Sequence, residues 1–163
     1  MKAPTVAATL AAVLAAGLLA AQLGALSGSP PNDLGVRDGL LKPPSTTRNS
    51  VSSQAERHSG HPQRDYATIA PLPFKPGGAS ASLAALDAAL SEVPGLTPVT
   101  RAPDYRRLEA RTRWLAFVDD VEFWADPSAG VIHVRSASRL GREDFGANRE
   151  RVEAIRAAYA RQP

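Results

Sequence analysis

The chain has 163 residues, with 19 Lys+Arg against 16 Asp+Glu and a formal net charge of +3. That length is about one domain. Zero cysteines exclude a disulfide framework, a thiol nucleophile and a cysteine-held zinc or iron–sulfur centre, and three histidines give little basis for a multi-histidine metal site.

No charged residue lies between Lys2 and Asp33, and Val6 to Leu26 is a run rich in Ala, Leu and Val. A helix crosses a bilayer in about 20 residues. Two readings fit residues 1–27: a secretory signal cut after Ala25-Leu26-Ser27, or an uncleaved anchor whose span is residues 6–26. Both place the remainder outside the cytoplasm, in the periplasm or held at the inner membrane. Removing residues 1–27 removes only Lys2 and leaves a charge of +2. The pI near 9.7 rests on this small excess, in which 16 of the basic residues are Arg. Export and near-neutrality argue against nucleic acid as a partner.

Residues 28–65 are rich in Ser, Pro, Gly, Asn and Arg and read as an irregular linker or arm with turn signals. From residue 66 the texture changes, and 66–163 is expected to fold. Ser82 to Val93 predicts a short helix with Leu83, Leu86 and Leu90 on one face, ended by Pro94-Gly95. Thr97 to Ala102 suits a strand, and Tyr105 to Val118 is read as another because β-branched and aromatic residues dominate its second half. Val121–Asp126 and Val131–Ser136, joined by Asp126-Pro127-Ser128-Ala129-Gly130, form a hairpin. Its core face carries Val121, Phe123, Ala125, Ile132 and Val134. From Phe145 to Ala160 the positions Phe145, Asn148, Val152, Ile155 and Tyr159 make one helical stripe, with Asp144 as N-cap and Asn148 as its one polar member. Trp114, Phe117, Phe123 and Ile155 are assigned to the core. The expected fold class is α+β: a small antiparallel sheet of roughly three to five strands packed by two helices.

Charge gathers between residues 101 and 156. Aligning the apolar faces of the hairpin sets Arg135 opposite Glu122 or Asp120. The loop beyond and the last helix add further Arg. Asp119, Asp120, Glu122, Arg135, Arg139, Asn148 and Arg149 are therefore expected to converge at one end of the sheet. Arg forks there suit either structural clamps or recognition of a carboxylate or phosphate. Asp119 and Asp120 are strand neighbours on opposite faces, a poor start for an acid–base dyad. His58-Ser59-Gly60-His61 lacks partner carboxylates and reads as a solvated loop. His133 is placed on the outer face, beside Trp124 in one register. Ser52 and Ser53 have no flanking nucleophile elbow, and no phosphate-loop or dinucleotide motif occurs. No cofactor and no metal are implied.

The block FVDDVEFWAD…IHVRSASRLGREDFGANRERVEAIR (Phe117–Arg156) closely resembles the DUF1499 family of bacteria and plastids. LGVRDGLLKP (Leu34–Pro43), NSVSSQA (Asn49–Ala55) and IAPL (Ile69–Leu72) are similar to that family's upstream motifs. The resemblance implies an exported or membrane-anchored protein and carries no established activity. The family's N-terminal motif has two cysteines where this chain shows Pro44 and Ser50, so such a pair is not essential here.

These observations lead to an expected role as a non-enzymatic cell-envelope domain that binds a small anionic ligand or a partner protein through the charged cluster. Two alternatives stand beside it: an envelope hydrolase using Asp119 or Asp120, and an assembly role at the membrane through the arm.

Overall fold

A computed structural model of the chain describes residues 3–163; Lys2, the basic residue ahead of the apolar run, lies outside the described residues. Helix α1 (Ala3–Ala20) continues through a wider turn, Ala21–Ala25, and ends where Gly24 takes a φ of +101°. Val6–Ala25 is 20 residues long and apolar enough to span a bilayer, and nearly all of it stands clear of the rest of the molecule.

The body is a six-stranded antiparallel sheet with two long helices on one face. Strands β1 (Ser50–Ser52), β2 (Leu72–Pro73), β3 (Leu96–Arg101), β4 (Tyr105–Arg111), β5 (Val118–Asp126) and β6 (Val131–Ser138) are joined by helices α2 (Arg64–Ala67) and α3 (Gly78–Glu92) and closed by α4 (Ala147–Arg161). The order is β1-β6-β5-β4-β3, with β2 also pairing β6 beside β1. The architecture is α+β, as the apolar alternation of the hairpin requires. The pairs Phe123↔Val134 and Ala125↔Ile132 put the expected residues on the inner face. There they meet Leu83, Leu86 and Leu90 of α3 and Val152, Ile155 and Tyr159 of α4.

The arm is tied down. Its β1 pairs with Arg135–Ala137 along the edge of the sheet. The Gln54 amide accepts the Leu41 N–H at 2.8 Å and donates to the Gly39 carbonyl at 3.0 Å, and Leu41 is buried beneath it. Backbone-to-amide ties of this kind have no side-chain period, which is why the segment reads as irregular.

Several local expectations are corrected. The single strand over Tyr105–Val118 is two strands broken by a turn. The Thr112 hydroxyl accepts the Phe117 N–H at 3.0 Å, and the Thr112 N–H donates to the Phe117 carbonyl at 3.0 Å. Closing that turn throws Trp114 to its tip, 62% exposed, rather than into the core, and leaves Phe117 half-buried. Phe145 is not in the stripe of α4. The Asp144 carboxylate accepts the N–H groups of Gly146 and Asn148, both at 3.0 Å. Phe145 and Gly146 bridge this cap in left-handed conformations (φ +53° and +87°), so the Phe145 ring points outward, 91% exposed. Helix α3 begins at Gly78, earlier than the leucine spacing indicates.

Candidate functional site

The register divides the seven candidate residues between two faces. Arg135 lies directly opposite Glu122, and Asp120 opposite Ala137. Alternation then sends Asp120 and Glu122 to the outer face, under the arm, and Asp119 to the inner face. Asp120, Glu122, Arg135 and Arg139 form one cluster; Asp119 and Asn148 belong to another, and Arg149 stands apart from both.

On the outer face Glu122 is wholly buried. Its Oε2 accepts from Arg135 Nη1 at 3.1 Å, and its Oε1 accepts the Tyr105 hydroxyl at 2.7 Å and the Gly35 N–H at 2.8 Å. A carboxylate removed from water requires this kind of compensation. Asp120 accepts from Arg139 Nε at 2.8 Å and from Arg107 Nη2 at 2.8 Å. Burial pushes the Asp120 carboxyl upward, but the hydrogen bonds from Arg139 and Arg107 outweigh it and hold the group below its ordinary range. The same bond from Asp120 raises Arg139, against its own desolvation. Burial, then the Glu122 charge, pushes the Tyr105 phenol upward. Tyr105, Arg107 and Glu109 are members that sequence reasoning missed. Their register against β5 (Arg107↔Glu122, Glu109↔Asp120) was the signal, and it depended on recognising the turn at residues 112–117.

The arm roofs this layer and leaves a pocket of about 200 Å³ bounded by Ser29, Lys42, Pro43, Asp120, Arg135 and Arg139. Arg135 is 3% exposed, yet its protein contacts are one carboxylate oxygen and a long 3.4 Å contact from Nε to the Pro43 carbonyl. Lys42 reaches Asp33 at 2.6 Å.

On the inner face Asn148 is fully buried. Its Oδ1 accepts the Ser136 hydroxyl at 2.5 Å and Arg151 Nη1 at 2.9 Å; its Nδ2 faces Asp144 Oδ2 at 2.7 Å, Ser138 Oγ at 3.0 Å and the Asn49 carbonyl at 3.1 Å. Arg151 continues to Asp119 at 2.6 Å. Arg149 clamps the carbonyls of Tyr66 and Thr68 beside α2. Every polar atom of the Asn148 amide is engaged, so this face holds elements together rather than offering free groups.

His133 stacks on Trp124 with ring centroids 5.5 Å apart. Its Nδ1 lies 3.1 Å from Ser53 Oγ and its Nε2 3.7 Å from Asp126 Oδ2. Ser53 Oγ also accepts the Val134 N–H at 2.9 Å, and the Ser53 N–H donates to the Val134 carbonyl at 2.9 Å, so the serine is laced into the sheet edge. Among the described residues no group of His, Asp or Glu has the geometry of a metal site. Burial pushes His133 below its ordinary 6.5, against the pull of Asp126, and His58 moves the same way through burial and then the charges of His61 and Arg57. With depressed folded-state values the unfolded chain takes up protons first, so this stability is complete above about pH 6.5 and is lost as pH falls below it. Asp120 and Asp144, held below their ordinary 3.8, lose theirs only as pH falls beneath that value. The melting temperature is therefore expected to decline in two stages on acidification, and His133→Asn is expected to flatten the first. A midpoint that is level from neutral pH to about pH 5 would contradict this linkage.

Two larger cavities lie elsewhere: one of about 510 Å³ between the end of α3 and β3–β4, and one of about 520 Å³ against Arg48, Tyr66, Phe145 and Arg149. The first contains none of the seven candidates and the second contains Arg149. In the first, Arg101 and Arg106 are already paired with Asp87 at 2.7 Å each and Arg107 with Asp120 at 2.8 Å. The smaller pocket under the arm borders three of the seven candidates, Asp120, Arg135 and Arg139, and its Arg135 meets one carboxylate oxygen.

The family model described as a protein of unknown function (DUF1499) matches residues 40–159, which takes in β1 to β6, nearly all of α4 and all seven candidates. The chain belongs to the DUF1499 family. No curated protein and no solved structure matches it significantly. The DUF1499 segment starts at Leu40 and so includes the part of the arm that carries Leu41, Lys42 and Pro43 over the charged layer, while α1 lies outside it. The Ser50 hydroxyl accepts the Ser45 N–H at 2.8 Å within this part of the arm.

Proposed function

We propose that this DUF1499 protein works outside the cytoplasm as a non-enzymatic binding domain that takes a small anionic group, a phosphate or carboxylate, in the pocket beneath the arm. One observation carries this reading. Lys42, Arg135 and Arg139 border the pocket, with Asp120 as the carboxylate in its lining; Lys42 is paired with Asp33 and Arg139 also with Glu109, while the buried Arg135 is engaged by one carboxylate oxygen. A volume of about 200 Å³ is below the range of drug-sized ligand sites and suits one anionic group. A planar guanidinium matches such groups through paired hydrogen bonds. The apolar α1 supports export, with anchoring at the inner membrane as the finer reading.

A hydrolase built on Asp119 or Asp120 has less support. Both are held by Arg, and Asp120, pushed below its ordinary range, is a poor general base at neutral pH.

The test is titration of the detergent-solubilised full chain with inorganic phosphate, pyrophosphate and acetate, followed by calorimetry and melting temperature. The expected result is saturable binding that Lys42→Ala weakens roughly tenfold, about 1.4 kcal/mol, without loss of fold. Lys42 is partly exposed and holds only Asp33, so its removal leaves the sheet intact. No heat and no rise in midpoint with any of the three anions would sink the proposal.

A further inference from the structure

Beyond the apolar run Val6–Ala25, the large apolar side chains that stand exposed among the described residues are Val99, Trp114, Leu115, Leu140 and Phe145. Four of these five sit in two loops, Thr112–Phe117 and Arg139–Gly146. The loops share one end of the sheet: Asp119 pairs with Ser138, and the Arg139 N–H donates to the Val118 carbonyl at 3.2 Å, so their roots are adjacent.

The apolar helix arrives at that same end. The Gln22 side-chain amide donates to the carbonyls of Arg113 at 2.9 Å and Trp114 at 2.7 Å. Gly28 then passes so close to the second loop that a side-chain carbon there would come within 2.9 Å of Arg139 Cβ and 3.1 Å of Leu140 Cγ. The end of the candidate span and both apolar loops are thus one continuous surface. Its charge is predominantly positive. Arg111, Arg113 and Arg142 are exposed; of the carboxylates beside them, Glu143 lies 3.5 Å from Arg48 and Asp144 caps α4. The Arg113 guanidinium lies over the Trp114 ring, 5.0 Å from its centroid.

We infer that this end of the sheet rests on the lipid surface from which α1 emerges, with Trp114, Leu115 and Leu140 seated at the boundary of headgroups and acyl chains and the arginines among anionic headgroups. The inference rests on the reading of α1 as a retained anchor. An amphipathic indole beside a cation is the pairing that membrane interfaces favour. Exposed apolar residues flanked by Arg, next to an apolar helix, match a bilayer in both hydrophobicity and charge. The contact would fix the domain's orientation, with the sheet end that holds the Asp126–Val131 turn directed away from the bilayer.

The experiment reconstitutes the full chain into phosphatidylcholine–phosphatidylglycerol vesicles and measures tryptophan quenching by lipids brominated along the acyl chain. Trp124→Phe leaves Trp114 as the single reporter. Trp114→Phe leaves Trp124, near the opposite end of the sheet and stacked on His133, as the control. Flotation of the vesicles, run on the same samples, reports retention by α1 independently. The expected result is that the chain floats, Trp114 loses most of its emission and Trp124 keeps its own. A chain that floats with Trp114 unquenched overturns the inference and leaves the anchor standing. A chain that does not float overturns both.

Discussion

Arg135→Met is expected to destabilise the protein by about 3–5 kcal/mol, the cost of leaving a buried ionic partner uncompensated. For a chain of this length that corresponds to a fall in melting temperature of roughly 10 °C. The reason is local. Glu122 is fully buried, and once the guanidinium is gone it keeps only the Tyr105 hydroxyl and the Gly35 N–H, both on the same oxygen. Its Oε2 would face a methionine. The double variant Glu122→Gln with Arg135→Met is expected to recover much of the loss, because an amide at position 122 can still accept those two bonds and no longer requires a cation. Urea titration of the two single variants and the double variant gives the coupling directly. If Arg135→Met melts within a degree or two of the parent, the charged layer does not clamp the arm to the sheet, and the pocket it borders loses its structural basis.

The same residue shows what could and could not be read from the chain. The β5–β6 hairpin was legible because Val121, Phe123 and Ala125 alternate with charges and a strong turn follows. That alternation alone brought Arg135 to Glu122 or Asp120 and kept Asp119 apart from Asp120. The rest of the site was not legible because its partners arrive by routes that leave no period. Tyr105 and Arg107 join through the register of β4, which a continuous strand over Tyr105–Val118 would have displaced. Gly35 contributes only a backbone N–H, and the Gln54 amide pins the arm through other main-chain atoms. Trp114 has the composition of a strand, yet the Thr112–Phe117 closure decides its position, since turn geometry outweighs a side chain's preference once two backbone bonds depend on it. Phe145 obeys the helical spacing and is still excluded from the helix, because the N-cap residue is Gly146 rather than the expected Asp144, whose carboxylate reaches the Asn148 N–H from two residues before it.

Asn148 was legible as an anomaly, one polar residue in an apolar stripe, and it supports the sharpest separation between shape and polarity. Asn148→Ala is expected to cost about 3 kcal/mol, from lost hydrogen bonds and the space left in a closed site. The loss is limited because several partners keep a second bond: the Asn49 carbonyl still accepts the Ser138 N–H at 3.0 Å, and Ser136 Oγ still accepts from Arg151 at 3.1 Å. Asn148→Asp, nearly isosteric, is expected to cost more than alanine at neutral pH. Nδ2 is the donor facing Asp144 Oδ2 at 2.7 Å, the Ser138 hydroxyl and the Asn49 carbonyl. An oxygen in that position meets acceptors, one of them the Asp144 carboxylate, which burial pushes up and hydrogen bonds hold below its ordinary range, and which would lose the bond from Nδ2. The Asp144 cap on α4 would weaken with it. Melting curves for the parent, alanine and aspartate variants at pH 7 and near pH 4 check the order. Aspartate should be the least stable at pH 7, and the gap to alanine should narrow in acid as the new pair of carboxyls takes up a proton. An aspartate variant as stable as the parent at pH 7 would mean that the amide is turned the other way. Its nitrogen would then face the Arg151 guanidinium, and the link from Asp119 through Arg151 to α4 could not be made as the hydrogen bonds require.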